Sequence, residues 1–125
     1  MSDDHRDVLE ILRCELNFLE QAGYGQVKRK GRLPSPFRDR QICLNYGDPL
    51  RPHACRECFL CDFVPEDART EDIPCHYIPL DPAGHRMIDF LRKEDVPGLE
   101  RALKIWLRRT IEELAQKQLE AGTRQ

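Results

Sequence analysis

The chain lacks the features that define several large protein classes. It has no apolar run approaching the roughly 18 residues that a membrane-spanning helix needs. Its opening, Met1-Ser2-Asp3-Asp4, has neither the basic nor the apolar region of a secretion signal, so a cytoplasmic location is expected. It has no basic excess: 20 Lys and Arg face 22 Asp and Glu, for a net charge of −2. That balance argues against a dedicated nucleic-acid binder. There is no P-loop, no dinucleotide-binding fingerprint and no nucleophile elbow. Nor is there an internal repeat or a low-complexity tract. At 125 residues the chain is expected to be a single domain, 1–125, with a modest core.

What the chain does contain is unevenly spread. Eight of its nine prolines fall between Pro34 and Pro82, and five of its six cysteines between Cys43 and Cys75. In a reducing compartment, clustered cysteines bind metal or do redox work more often than they form structural disulfides.

Four parts follow from the patterning. Residues 4–22 read as a helix, with Leu9, Leu12, Leu16 and Leu19 on one stripe. Ser2, Asp3 or Asp4 would cap its start, and Gly23 or Gly25 would end it. Cys14, on its flank, is expected to be a small buried hydrophobe. Residues 23–41 form a basic connector in which Lys28, Arg29, Lys30, Arg32, Arg38 and Arg40 face only Asp39. A solvated arm is the plainer reading of it. The sharper reading makes Lys28, Arg29, Lys30 and Arg32 a docking strip for an acidic partner or a phosphate backbone. Residues 42–80 carry too many prolines for a long helix or an interior strand. Yet Ile42, Leu44, Tyr46, Phe59, Leu60, Phe63, Val64, Ile73, Tyr77 and Ile78 look like packing groups, so this lobe should be ordered by something other than regular secondary structure.

Residues 82–121 return to helix in two pieces. Asp81 and Pro82 resemble a cap and a first-turn proline, starting a helix that runs to about Lys93. After Asp95 and Pro97, a last helix places Leu99, Leu103, Trp106, Leu107, Thr110, Ile111 and Leu114 on one face. It should pack antiparallel to the first helix, with Trp106 as a core anchor and a polar tail fraying from Gln116. The fold class is therefore mainly α: a small bundle of about three helices with an irregular Pro/Cys-rich lobe in its middle.

The lobe's thiols carry the chemistry. Cys55-Arg56-Glu57-Cys58 is a C-x2-C knuckle, in which a tight turn can present two sulfurs to one ion. Cys75 is the clearest third ligand. With Cys43 as the fourth, a closed tetrahedral zinc shell of Cys43, Cys55, Cys58 and Cys75 would staple the whole lobe. Cys61 and His76 are alternative ligands, and His53 also lies within reach in sequence. A [4Fe-4S] cluster is the alternative cofactor. Cys55, Cys58 and Cys61 resemble, over seven residues, the C-x2-C-x2-C run of bacterial ferredoxins, with Cys75 as the remote ligand. Proline precedes Cys75 here rather than following it, and Arg56, Glu57, Phe59 and Leu60 are bulky for such loops. A catalytic zinc finds no support: Glu57 stands alone, and His53-Ala54-Cys55 departs from the H-x-E deaminase pattern.

An acidic loop of Asp62, Glu66, Asp67, Glu71 and Asp72 is expected to pair with the basic connector. The functional expectation is a non-enzymatic, zinc-stapled interaction or accessory module whose partner is another protein. The alternative is an iron–sulfur electron carrier or redox sensor.

Overall fold

Helix α1 spans Val8–Gln21, and its start is set by Asp7, whose Oδ1 accepts the Glu10 N–H at 3.2 Å. The computed structural model describes residues 4, 6–23, 37, 40, 42–46, 48 and 50–123. The helix thus begins four residues later than the expected start at residue 4. Asp4 does not cap it, because its carboxylate is drawn to Arg6 and to the Phe59 N–H. Gly23 ends it as expected: at φ +79° it takes the left-handed conformation and donates to the Phe18 carbonyl at 3.2 Å. Leu9, Leu12 and Leu19 are buried, with Leu16 packed against the core. Cys14 is exposed, contrary to expectation, with its thiol 3.8 Å from Glu10 Oε1. The helix buries Glu15 in its place, because Arg40 lies across the Phe18 ring and meets that carboxylate at 3.2 Å.

Helix α2 spans only Met87–Arg92. Asp81 and Pro82 do not open a helix. They form a turn in which Asp81 Oδ1 accepts the His85 N–H at 3.0 Å and Gly84 sits at φ +86°. An isolated bridge pairs Pro79 with Arg86, and the helix starts only where Asp89 Oδ2 accepts the Arg86 N–H at 2.8 Å. Helix α3 spans Val96–Thr123, capped by Asp95 through the Gly98 N–H at 3.0 Å. It runs to Thr123, two residues past the expected 121, with residues 116–121 exposed.

Helices α1 and α3 pack antiparallel. Glu20 near the end of α1 meets Arg108 at 2.7 Å, while Val8 and Leu9 at its start share a groove with Leu114 and Ala121. Leu99, Leu103, Trp106, Leu107 and Thr110 of α3 are buried, as the helical face predicts. A fully buried Leu contributes about 1.5–3 kcal/mol relative to an exposed one, so this face alone accounts for much of the core. The described residues contain no strand, and the molecule is mainly helical.

Between α1 and α2 the described residues include four short 3₁₀ segments, Cys55–Glu57, Phe59–Phe63, Glu66–Ala68 and Pro74–Tyr77. Short turns of this kind suit proline-rich sequence because few of their N–H groups need intrahelical partners. Ile42, Phe59, Leu60, Val64 and Ile78 join the helices in one apolar cluster. An aromatic chain links the two regions: Phe63 stands edge-on to Trp106 at 5.3 Å, and Trp106 also meets the wholly buried Phe37 at 6.0 Å.

Candidate metal centre

The four thiols selected by spacing sit on three segments that meet. The knuckle is a 3₁₀ turn: Ala54 O accepts the Glu57 N–H at 2.9 Å, and Cys55 O accepts the Cys58 N–H at 3.0 Å. Glu57 serves this turn, since its Oε2 accepts the Ala54 N–H at 2.7 Å. The Cys58 sulfur in turn accepts backbone N–H groups from Leu60 and from Leu44, which brings the Cys43 segment alongside the knuckle. Cys75 lies in the turn Pro74–Tyr77, which packs against Phe59–Phe63.

Electrostatics report the same convergence. Burial pushes the Cys75 thiol far above its ordinary pKa, and charge on Cys43, Cys55 and Cys58 pushes it further. Burial likewise raises Cys58, against the pull of its backbone donors and of Arg6. A nearby cation that stabilises thiolates would reverse both shifts.

Two arginines meet this cluster. Arg51 Nη2 stands 3.2 Å from Cys43 Sγ. Arg6 Nη2 stands 3.7 Å from Cys58 Sγ and 3.1 Å from the Ile42 carbonyl. Arg6 is held bidentate by Asp4, whose side chain is fully enclosed, and Asp4 Oδ2 also accepts the Phe59 N–H at 3.1 Å. Burial acts to raise the Asp4 carboxyl, but these hydrogen bonds win and hold it below the usual aspartate value.

Among the described residues, no group of three or more His, Cys, Asp or Glu side chains is placed to hold a metal ion. The chemistry of the thiols fits a soft dication: up to four sulfurs, with backbone N–H groups directed at one of them.

The alternative ligands occupy different settings. Cys61 is buried, and its N–H donates to the Cys58 carbonyl at 3.0 Å. Cys43, Cys55 and Cys58 are among the groups whose charge weighs on Cys75. His76 is buried beside Cys75, whereas His53 is largely exposed and lies 3.5 Å from Glu57. Lys28, Arg29, Lys30 and Arg32 lie outside the described residues. Arg40 of the connector pairs with Glu15 rather than with the acidic loop, and Asp62, Glu66, Asp67, Glu71 and Asp72 are all exposed.

Sequence reading missed Arg6, Arg51, Asp4 and Asn45. Only Asn45 has a recoverable signal, as a turn residue eight positions before His53. Arg6 and Cys58 are 52 residues apart, and no local pattern joins them.

No helix of the described residues is long and apolar enough to cross a membrane. Comparison with protein-family models, curated proteins and solved structures finds no match to this chain.

Proposed function

We propose that Cys43, Cys55, Cys58 and Cys75 hold a structural zinc ion that staples residues 42–80, and that the protein is a non-enzymatic interaction or accessory module of the cytoplasm. The observation that carries this reading is the meeting of the knuckle, the Cys43 segment and the Cys75 turn, with Leu44 and Leu60 N–H groups on the Cys58 sulfur. Such a lobe has little regular hydrogen bonding of its own, and metal-binding free energy would supply the order. A protein surface built this way presents rigid turns without a reaction centre, which suits a module that docks another protein.

The iron–sulfur reading has one observation in its favour. Cys61 is buried one turn beyond Cys58, so the third thiol of the run lies near the knuckle.

The test is elemental analysis with an absorption spectrum, on full-length protein purified without oxygen. One zinc per chain in a colourless sample is the expected result. A brown sample with several irons per chain would replace zinc by a cluster and make the protein a redox component. A metal-free sample would remove the central proposal.

A further inference from the structure

Arg51 is built into its place at some cost. Its φ of 45° lies in the left-handed region, which non-glycine residues avoid. The loop around it explains how that conformation is held. Asn45, itself buried, donates from Nδ2 to the His53 carbonyl at 2.8 Å and accepts the His53 N–H on Oδ1 at 2.9 Å. This clamp closes residues 45–53 like a single rung of a sheet. Inside it, Asp48 accepts the Leu50 N–H on Oδ1 at 3.0 Å and the Arg51 N–H on its carbonyl at 3.1 Å. The product of these constraints is a guanidinium returned to within 3.2 Å of Cys43 Sγ. Arg6 is fixed independently: by the enclosed Asp4 at 2.7 Å, by the Ile42 carbonyl, and by its position over the Phe59 ring at 5.6 Å.

We propose that Arg51 and Arg6 are positioning residues of the thiol centre, each donating an N–H to one ligand sulfur and offsetting the negative charge that four thiolates gather around a dication. This rests on the zinc reading above. Four thiolates and one divalent ion leave a net charge of −2, and a partly enclosed site of that charge needs compensation. Arg51 supplies a full positive charge to Cys43. Arg6 shares its charge with Asp4, so its contribution at Cys58 is smaller. Loss of an outer group of this kind weakens metal binding by about tenfold to a hundredfold.

The experiment uses the full chain loaded with one zinc, with affinity measured by competition against a chromophoric chelator at fixed pH and salt. Arg51→Ala should bind zinc at least about tenfold more weakly than wild type. Arg51→Lys, which keeps the charge but loses the planar fork, should recover part of the loss. Arg6→Ala should show a smaller loss, and Arg109→Ala, exposed on α3, none. Cobalt(II) loading adds a readout that a merely structural role would not move. The sulfur-to-metal charge-transfer band should shift to lower energy in Arg51→Ala, because a hydrogen-bond donor has left the sulfur. If Arg51→Ala does not fold by far-UV circular dichroism, Arg51→Lys at native helix content carries the same comparison against wild type. Unchanged affinity and an unmoved band in these variants, with wild type holding one zinc, overturn the positioning role and leave the zinc reading standing. Wild type that takes up neither zinc nor cobalt overturns both.

Discussion

Helix α3 buries Leu99, Leu103, Trp106 and Leu107 at intervals of three or four residues, along one continuous face. Residues 42–80 bury Ile42, Phe59, Leu60, Val64 and Ile78 at irregular intervals, on and between turns of three to five residues. The helical face orders itself, since each residue added to the helix adds a backbone hydrogen bond and extends the apolar stripe. The lobe gains little from its short turns, and on the zinc proposal a metal ties its segments to the same core. The two regions thus have different failure modes. The helices should fail through packing and the lobe through its ties, and each variant below acts on one side of that division.

The largest effect is expected from stripping the metal or from Cys43→Ser. Either should open the lobe while most far-UV helix signal persists, and the near-UV signal of Trp106, which touches Phe63, should collapse. Cys61→Ser should cost far less, about 1–3 kcal/mol for placing a hydroxyl in an apolar site. Thermal unfolding followed at both wavelengths ranks the two. A Cys61 variant worse than the Cys43 variant would move the ligand set to the iron–sulfur run. The next largest effect belongs to the helices. Leu103→Ala removes a wholly buried side chain and should cost about 2–5 kcal/mol in urea unfolding, without lowering the zinc content of the folded protein. A Leu103 variant that lost its metal in proportion to its stability would mean that the division is false and that the molecule unfolds as one unit.

Arg40→Ala tests the seam between the regions. It withdraws the partner of a buried Glu15, and because Glu15 keeps other contacts the expected loss is about 2 kcal/mol, below the 3–5 of a fully orphaned charge. Arg40→Lys should recover little, since it cannot lie flat on Phe18 and reach the carboxylate together. A loss within about 0.5 kcal/mol of wild type in urea would make the pair a surface decoration.

How much of this was legible in the sequence differs between the regions for a physical reason. The faces of α1 and α3 could be read because helix periodicity repeats a local rule, and the buried Trp106 and Thr110 follow from it. The boundaries were less legible. Asp4 looked like a cap, but a long-range bond to Phe59 N–H claimed it, and Asp81-Pro82 looked like a helix start but closed a turn on His85. In the lobe, C-x2-C spacing pointed to a tight turn at Cys55–Cys58, a local property, and the chain turns there. What lies around the thiols was not legible. Arg6, Arg51 and Leu44 reach the sulfurs across 52, 8 and 14 residues, by contacts that only the folded path creates.

The smallest predicted effect lies where the two regions touch, at Asp4. Its folded pKa is depressed, so its contribution is fully present above the unfolded value, about 3.9, and is lost as pH falls through the lower folded value. Asp4→Asn keeps an acceptor for the Phe59 N–H but gives up the charge facing Arg6, for an expected loss of about 1 kcal/mol at pH 7. The gap between wild type and Asp4→Asn in urea midpoint should therefore stay constant from pH 7 to about pH 4.5 and close only below about pH 4. The pH at which it closes also probes the division between helices and lobe. If zinc is bound as proposed, its thiolates should take up protons and release it well above pH 4, because metal ligands must stay deprotonated. If the gap survives that release, the Asp4–Arg6 contact is held by the helical core and by Phe59 packing alone. If it closes together with zinc loss, the contact depends on the tied lobe, and the beginning of the chain belongs to the metal centre rather than to the helix that follows it.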